Sequence, residues 1–265
     1  KASGLNVSKI MDTIQKKISF GMGVPNNERV ENEVIEKIAQ FDLPYVKNMW
    51  QLAKKQLGTV GGGNHYVDLF EDETGYLWIG VHFGSRGFGH KIASGFLALN
   101  KGAGFGDHVS EGPMDAKPTL FSIYDTIGQD YKRSMELAGE YANAGRKAVI
   151  TKVLQLLGNP TPIESIHNHH NFSWEENHYG ETYQVVRKGC TPAFPGQKSF
   201  IGANMMDNSV IVEGIESTES VEGLYSTVHG SGRILSRTQA AGKKKWIRDD
   251  HGKKRPQIAP GLISE

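Results

Sequence analysis

Histidines recur in this sequence inside short motifs rich in glycine or asparagine. The stretch "IHNHHNF" places three histidines within four positions, at His167, His169 and His170. On a strand, alternation would send His167 and His169 to one face and His170 to the other. A metal site built on this stretch therefore needs ligands from elsewhere. Three further motifs offer them: "GTVGGGNHYVD" (58–68), "VHFGSRGFGH" (81–90) and "STVHGSGRILSR" (226–237).

The surroundings of these histidines suit phosphate and metal chemistry. Bare backbone N–H groups in glycine loops can cradle an anion, and His229 is flanked by Gly230 and Gly232 ahead of a predicted helix. Arg233 and Arg237 would share one face of that helix. The imidazole could donate a hydrogen bond, act as a general acid or be a nucleophile. Several imidazoles with little thiolate favour Zn, Mn, Fe or Ni.

Each motif also has a simpler interpretation. Segment 58–68 could be an ordinary glycine loop, and His82, at the end of a hydrophobic strand, could be a hydrogen-bonded structural residue. Considered together, the four motifs favour a site for a metal ion and a phosphate.

Composition limits the class of protein. The 265 residues are 38% hydrophobic and 22% charged, which is typical of a globular protein with a sizeable core. The formal net charge of +1 gives no overall nucleic-acid footprint. A single cysteine excludes an internal disulfide framework and favours a reducing compartment, so a cytoplasmic location is expected. The sequence contains no apolar run long enough to span a bilayer, and no membrane partner is expected.

The patterns predict an α+β fold, because helices and strands do not alternate regularly. Helical spacing occurs at 28–40, from Tyr45 to about Gly58 after an interruption at Pro44, at 87–100 and at about 122–157. Two strands are predicted about a turn at Asp72–Gly75. Further strands are predicted at 183–189, 209–214 and 224–230, a helix at 231–242, and a loop at 101–118.

The order of the motifs resembles the RtcB family of RNA ligases from about residue 57 to residue 240. The motifs that carry this resemblance are "LGTVGGGNHYVDL", "VHFGSRGFGHKI", "HHNF", "RKGCTPAFPGQ", "SVIVEG" and "HGSGRILSRTQA". It implies an RtcB-like fold, with β-sheets around a central metal and nucleotide cleft and helices packed outside. A single catalytic domain over 1–265 is expected, with a basic and flexible tail at 243–265.

The resemblance also implies a reaction. The family joins RNA 3′-phosphate or 2′,3′-cyclic phosphate ends to 5′-hydroxyl ends, in tRNA splicing or RNA repair, using GTP and two Mn²⁺ ions. It implies that His229 is the nucleophile that carries GMP, and that His65, His82 and His170 bind metal. GTP, RNA with those ends and an archease-type activating protein are the implied partners.

The guanylate pocket carries over position by position. The resemblance implies cofactor contacts from four segments and one further serine: Asn64, His65, Tyr66, Val67 and Asp68; His170 and Asn171; Gly202, Ala203, Asn204 and Met205; Ser209; and His229, Gly230, Ser231 and Gly232. Asp68 replaces the usual glutamate, Asn204 a serine and Ser231 an alanine. "NAGR" at 143–146 leaves Arg146 without its usual asparagine neighbour.

Two family segments have no match: the upstream Asp-x-x-Cys segment that bridges the two metal ions, and a C-terminal segment whose lysine contacts the guanylate. Cys190 stands where alanine is usual, so we interpret Cys190 as a buried small residue. The chain is therefore expected to be a piece of a longer ligase that binds its second metal weakly and ligates poorly, and a divergent, inactive or differently metallated paralogue is the competing account. A metal-dependent phosphoesterase acting on cyclic phosphate RNA ends, and a non-catalytic module that binds RNA ends, are the alternatives.

Overall fold

The structure, a computed structural model, describes residues 4–110, 112, 117–203 and 207–232, and the backbone of 244–248 and 254–258. The chain divides into two compact units, an N-terminal unit (1–163) and a C-terminal unit (164–265). Both helices and strands are present, as the α+β prediction requires. The sheets around a central cleft and the single catalytic domain stay predictions.

The helices begin and end close to where periodicity places them. The described residues form α1 (Val7–Lys17), α2 (Glu33–Ala39), α3 (Pro44–Lys47), α4 (Trp50–Gln56), α5 (Arg86–Asn100), α6 (Thr126–Leu156) and α7 (Thr218–Glu222). The predictions at 87–100 and 122–157 are confirmed by α5 and α6. The helix predicted at 28–40 begins only at Glu33, because the Asn32 side chain caps it by accepting from the Val34 N–H. Among these helices, none is both long and apolar enough to cross a membrane.

The strands associate in antiparallel pairs. They are β1 (Tyr66–Glu71), β2 (Leu77–His82), β3 (Asn171–His178), β4 (Glu181–Lys188), β5 (Cys190–Pro192), β6 (Lys198–Ile201), β7 (Val210–Glu213), β8 (Ser226–Val228), β9 (Lys244–Arg248) and β10 (Lys254–Ile258). The pairs are β1–β2, β3–β4, β5–β8, β6–β7 and β9–β10.

One strand prediction needs correction. The strand predicted at 224–230 is shortened to β8, because Leu224 and Tyr225 take positive φ angles of 50° and 46°, which strand geometry does not allow. Strands β9 and β10 pair within segment 243–265, whose flexibility stays a prediction. The helix predicted at 231–242 lies outside the described residues from 233 onward.

The N-terminal unit is built on hydrophobic packing along α6. Its first turns contribute Leu137 and Tyr141 to a cluster with α2, α4 and α5. Farther along, Val149 joins a second cluster with Val67 of β1 and Phe83, which follows β2. The β1–β2 hairpin is therefore fixed to the long helix, and so are the residues at its ends.

The interior of the C-terminal unit is mostly polar. Its most deeply buried side chains in the described part include His178, Arg187 and Ser199, each 5% exposed or less. Because a buried polar group is stable only when it is paired, hydrogen bonds must hold this unit together. Arg187 makes several of them, to Glu176 and to the segment that leads into β8.

The turn of the β1–β2 hairpin depends on one carboxylate. Asp72 Oδ1 accepts from the N–H groups of Thr74 and Tyr76 at 2.9 Å, and Oδ2 accepts from the Trp78 indole at 2.8 Å. The bond from Trp78, followed by those from Thr74 and Tyr76, holds the pKa of Asp72 well below its ordinary value of 3.8. This turn sets the β1–β2 register and brings His82 opposite Tyr66.

We expect Asp72→Ala to lower the free energy of unfolding near neutral pH more than Glu73→Ala, a change in the same turn. Since the folded pKa of Asp72 is depressed, its contribution is present above pH 3.8 and is lost as the pH falls through the folded pKa. Urea denaturation at several pH values measures this. A difference between wild type and Asp72→Ala that does not shrink in acid would contradict the assignment.

Candidate active site

The first pair of site histidines lies at one end of the β1–β2 hairpin. His65 immediately precedes β1, and His82 is the last residue of β2, opposite Tyr66 in the register. The rings of His65 and His82 have centroids 6.2 Å apart. The His82 ring also stacks on that of Tyr66, at 5.4 Å with planes 8° apart. The hairpin thus brings together two residues that the sequence placed at strand ends.

One hydrogen bond determines the tautomer of His65. Its Nδ1 lies 2.8 Å from the Val60 carbonyl oxygen, which can only accept, so Nδ1 carries the proton. Arg86 Nη1, 3.3 Å from the same nitrogen, therefore makes a close contact and not a second hydrogen bond. The bond to Val60 is the shorter one, and in it the Nδ1–H group donates to an oxygen that can only accept. The lone pair of His65 is on Nε2, the arrangement that metal-binding histidines use.

Arg86 fastens the loop that carries the Val60 carbonyl. Its Nε donates to Thr59 Oγ1 at 3.2 Å, and its Nη2 reaches the Gly21 carbonyl at 3.5 Å. Burial lowers the pKa of this guanidinium below its usual value. The guanidinium lies against Gly61, whose φ of +92° and missing side chain make room for it. Arg86 lies in the "GSRG" part of motif 81–90, and the sequence pattern predicts no role for it.

The other residues of the first predicted pocket segment differ in accessibility. Asn64 is exposed, whereas the Val67 side chain is buried in the hydrophobic cluster, so only its main chain could contact a ligand. Burial raises the pKa of Asp68 and of Tyr66, and the Asp68 charge raises that of Tyr66 further.

The second pair of site histidines stacks face to face in the C-terminal unit. The rings of His170 and His229 have centroids 4.3 Å apart and planes 8° apart. His229 Nδ1 lies 2.8 Å from the Gly189 carbonyl oxygen, so this nitrogen also carries the proton and the lone pair is on Nε2. An imidazole with its lone pair on Nε2 can bind a metal or attack an electrophile such as phosphorus.

Gly189 joins the two segments that carry these rings. Its N–H lies 2.6 Å from the His170 carbonyl and 3.1 Å from Asn171 Oδ1, and its carbonyl holds His229. Asn171, predicted to contact guanylate, therefore also fixes the residue that orients His229. The expected alternation of His167, His169 and His170 between two faces of a strand does not occur, because strand β3 begins only at Asn171.

The remaining predicted pocket residues are linked to one another by hydrogen bonds within the C-terminal unit. Gly202 and Gly230 form a β-bridge, and the Ser231 N–H donates to the Gly202 carbonyl at 3.2 Å. Ser209 Oγ accepts from the Ala203 N–H at 3.0 Å. Gly232, at the end of the described stretch, has a positive φ of 75°. Asn204 and Met205 lie outside the described residues.

The imidazole nitrogens of these histidines are suitable metal ligands, but they form only part of a complete ligand set. Within the described part of the chain, no three histidine, cysteine, aspartate or glutamate side chains are grouped closely enough to hold an ion. Each histidine pair supplies imidazole nitrogens, and oxygen ligands, which manganese prefers, would have to complete the set. The convergence of His65, His82 and His170 on one cleft stays a prediction.

Four residues left without a role at the sequence level have defined positions. His167 meets the His169 ring edge to face at 4.8 Å, and His169 stacks on Phe172 at 4.9 Å. Cys190, half-buried in β5, lies opposite Val228 in the register. Arg146 donates to the Phe83 carbonyl at 2.8 Å, and burial lowers its pKa to about 10.

Imidazoles held in one tautomer beside glycine-rich loops suit a protein that handles phosphates and metal ions. Comparison with known proteins agrees with this class: the family model described as "tRNA-splicing ligase RtcB" matches residues 5–259. The chain belongs to the RtcB family.

Individual relatives have names of the same kind. RNA-splicing ligase RtcB of Escherichia coli strain K12 is 33% identical over 200 residues, which cover 70% of this chain and 47% of that protein. The tRNA-splicing ligase RtcB of Aeropyrum pernix is 28% identical over 292 residues, covering 93% of this chain and 59% of that protein. The chain thus spans about half the length of the curated relatives it matches.

We expect Gly61→Ala to disturb His65 as well as stability. A methyl group at Gly61 would overlap the Arg86 guanidinium, which must leave Thr59 and so lose a hydrogen bond that contributes about 1 kcal/mol. Gly102→Ala is the matched control, because Gly102 also has a positive φ, of 76°, but open space around it. Both changes carry a backbone cost of about 1–2 kcal/mol. Equal destabilisation, with unchanged His65 ring signals in both variants, would refute the role given to Arg86.

We expect His65 and His229 to be Nδ1–H tautomers whenever they are neutral, because each Nδ1 donates to a carbonyl oxygen. Two-bond ¹⁵N–¹H correlation spectra of ¹⁵N-histidine-labelled protein distinguish the tautomers directly. His108, on an exposed loop, is the control and should show the mixture of an unrestrained imidazole. An Nε2–H signal at either site histidine would rule out the proposed lone-pair position.

Proposed function

We propose that this chain carries the guanylate-transfer site of an RNA ligase that joins 3′-phosphate or 2′,3′-cyclic phosphate ends to 5′-hydroxyl ends. The observation that carries the proposal is the hydrogen bond from His229 Nδ1 to the Gly189 carbonyl. It puts the lone pair of His229 on Nε2, at the outer edge of the ring. Membership of a family whose relatives are named RNA-splicing ligases supports the reaction class.

His229 is proposed to act as the nucleophile. Its Nε2 attacks the α-phosphorus of GTP, an N–P bond forms, and the bond from phosphorus to the pyrophosphate oxygen breaks. The ring becomes positively charged as it gives up its lone pair, and the Gly189 carbonyl, at the opposite nitrogen, stabilises that charge. GMP then passes from His229 to the RNA 3′-phosphate, and the 5′-hydroxyl displaces GMP to form the phosphodiester bond.

The neighbouring residues are proposed to hold the nucleotide. The fastened segments around Gly202 and Gly230 offer main-chain groups without bulky side chains, which lets phosphate oxygens approach closely. Ser209 is occupied in holding Ala203, so we give it a role in shaping this segment. RNA ends, GTP and an archease-type activating protein are the proposed partners.

His65, His82 and His170 are proposed to hold manganese. Bound there, the ions would neutralise phosphate charge. The Nε2 lone pair of His65 supports its part in this set. His65 would hold one ion, and His82, with His170, would hold the other.

We expect [α-³²P]GTP with Mn²⁺ to label the wild-type chain covalently and His229→Ala not at all. A phosphoramidate label should be lost in acid and retained in base, and [γ-³²P]GTP should leave no label because pyrophosphate departs. His108→Ala, which removes an exposed imidazole, is the control and should label like wild type.

Three results would count against this proposal. Labelling of His229→Ala would place the nucleophile elsewhere. Opening of a 2′,3′-cyclic phosphate RNA end without any GTP labelling would favour a phosphoesterase. Salt-dependent RNA binding with neither activity would favour a module that binds RNA ends.

A further inference from the structure

Strand β8, which leads directly into His229, is held at both ends by residues near the end of β4. At its start, Arg187 Nε donates to Ser226 Oγ at 2.8 Å, and Arg187 Nη2 donates to the Leu224 carbonyl at 2.6 Å. Beyond its end, the Gly189 carbonyl accepts from His229 Nδ1 at 2.8 Å. Because Arg187 and Gly189 are two residues apart, one short segment fixes both sides of β8.

Arg187 is itself firmly fixed. Its side chain is 1% exposed, and its guanidinium makes paired hydrogen bonds to the two Glu176 oxygens, at 2.7 and 2.9 Å. Its guanidinium carbon lies 5.1 Å from the centre of the Trp174 ring. His178 Nε2 lies 2.8 Å from Glu176 Oε2 and completes the arrangement. Burial alone would raise the pKa of Glu176, but the bonds from Arg187 and His178 outweigh it and keep the pKa below its usual value.

The segment that Arg187 holds is under backbone strain. Leu224 and Tyr225 have φ angles of 50° and 46°, and non-glycine residues adopt this region only when their surroundings impose it. Arg187 binds the Leu224 carbonyl, and the Tyr225 carbonyl accepts from the Ala193 N–H at 2.6 Å. If Arg187 is removed, this turn can relax, and the relaxation moves the start of β8.

We propose that Arg187, held in place by Glu176, is a positioning residue for His229. It fixes the strained turn and the start of β8, so that the His229 ring meets the Gly189 carbonyl with Nε2 directed at the reacting phosphorus. The inference rests on the proposed function, since it assigns the pair a part in guanylate transfer. Its structural half, the control of the His229 hydrogen bond, can be tested without GTP.

The main test replaces the ion pair by apolar residues of similar size, in the double variant Glu176→Leu with Arg187→Met. Replacing both partners leaves neither the carboxylate nor the guanidinium buried without the other, and such replacements often preserve stability. His178 Nε2 loses its Glu176 partner in this variant, which is a further reason to measure unfolding first. The variant nevertheless loses the bonds to Ser226 and Leu224. Its unfolding is measured first, followed by the rate of covalent labelling at saturating GTP and Mn²⁺.

A milder variant tests the same contact with the ion pair intact. Ser226→Ala removes the acceptor of Arg187 Nε and the 3.2 Å hydrogen bond that Ser226 Oγ donates to the Leu224 carbonyl, but it leaves the ion pair in place. It therefore keeps the proposal testable if the double variant does not fold. Ser173→Ala is the matched control. It removes a hydroxyl that accepts from Gln184 at 2.8 Å on the same β3–β4 hairpin but contacts neither Arg187 nor β8.

We expect the folded double variant to label about tenfold more slowly or worse, and Ser226→Ala severalfold more slowly, with the apparent KM for GTP little changed. A loss in rate without a loss in binding is the signature of misplaced reacting groups. The His229 Nδ1–H proton should exchange with solvent faster in both variants. Ser173→Ala should match wild type in both measurements.

Two results would overturn the inference. One is wild-type labelling by a folded double variant and by Ser226→Ala; the other is an equal loss in Ser226→Ala and Ser173→Ala, which would show a general effect of stability. If the wild-type chain itself takes no label, the proposed function fails. The exchange rate of the His229 Nδ1–H proton then tests the positioning role by itself. Unchanged exchange in both variants would reject the positioning role.

Discussion

A hydrogen bond from histidine Nδ1 to a backbone carbonyl is the interaction on which the histidine pair of each unit depends. His65 makes it to Val60 and His229 makes it to Gly189, each at 2.8 Å. A free imidazole can carry its proton on either nitrogen, so a site that needs the Nε2 lone pair must impose the tautomer. A carbonyl oxygen does this permanently, because it cannot donate. The position of each carbonyl then becomes a structural requirement, and the surrounding residues act on the loop that carries it.

In each unit, an arginine acts on the chain near this carbonyl. Arg86 binds Thr59, one residue before Val60, and Arg187 lies two residues before Gly189. A guanidinium has five donors in a rigid plane, so it can fix several acceptors of a loop that has no regular partner strand. Lysine has only three donors, all on one nitrogen of a flexible stem, so it could not make the four hydrogen bonds that Arg187 makes to Glu176, Ser226 and Leu224.

The sequence predicts those parts of the structure that depend on local pattern. Periodicity places α5 and α6, the turn at Asp72 marks the β1–β2 hairpin, and His65 and His82 are correctly expected at strand ends. The tautomers are not predictable, because the Gly189 carbonyl that holds His229 lies forty residues away in the chain. Nor is the burial of Arg187: in "RKG" an arginine is ordinarily a solvated charge. The positive φ of Leu224 escapes prediction too, since its residue type disfavours that region.

The interiors of the two units differ, and this explains how each positions its histidines. The N-terminal unit uses apolar packing, and the C-terminal unit uses a buried ion pair. The β1–β2 hairpin lies on α6, so Val67 and Phe83 anchor His65 and His82 through a hydrophobic cluster. Strand β8 has only three residues, too few to bury an apolar face of its own. Its place must be set by directional bonds, and a buried pair such as Glu176–Arg187 supplies direction at the expense of desolvation. An apolar pair could match the stability of this interior, but it has no donors with which to orient the segment that carries His229.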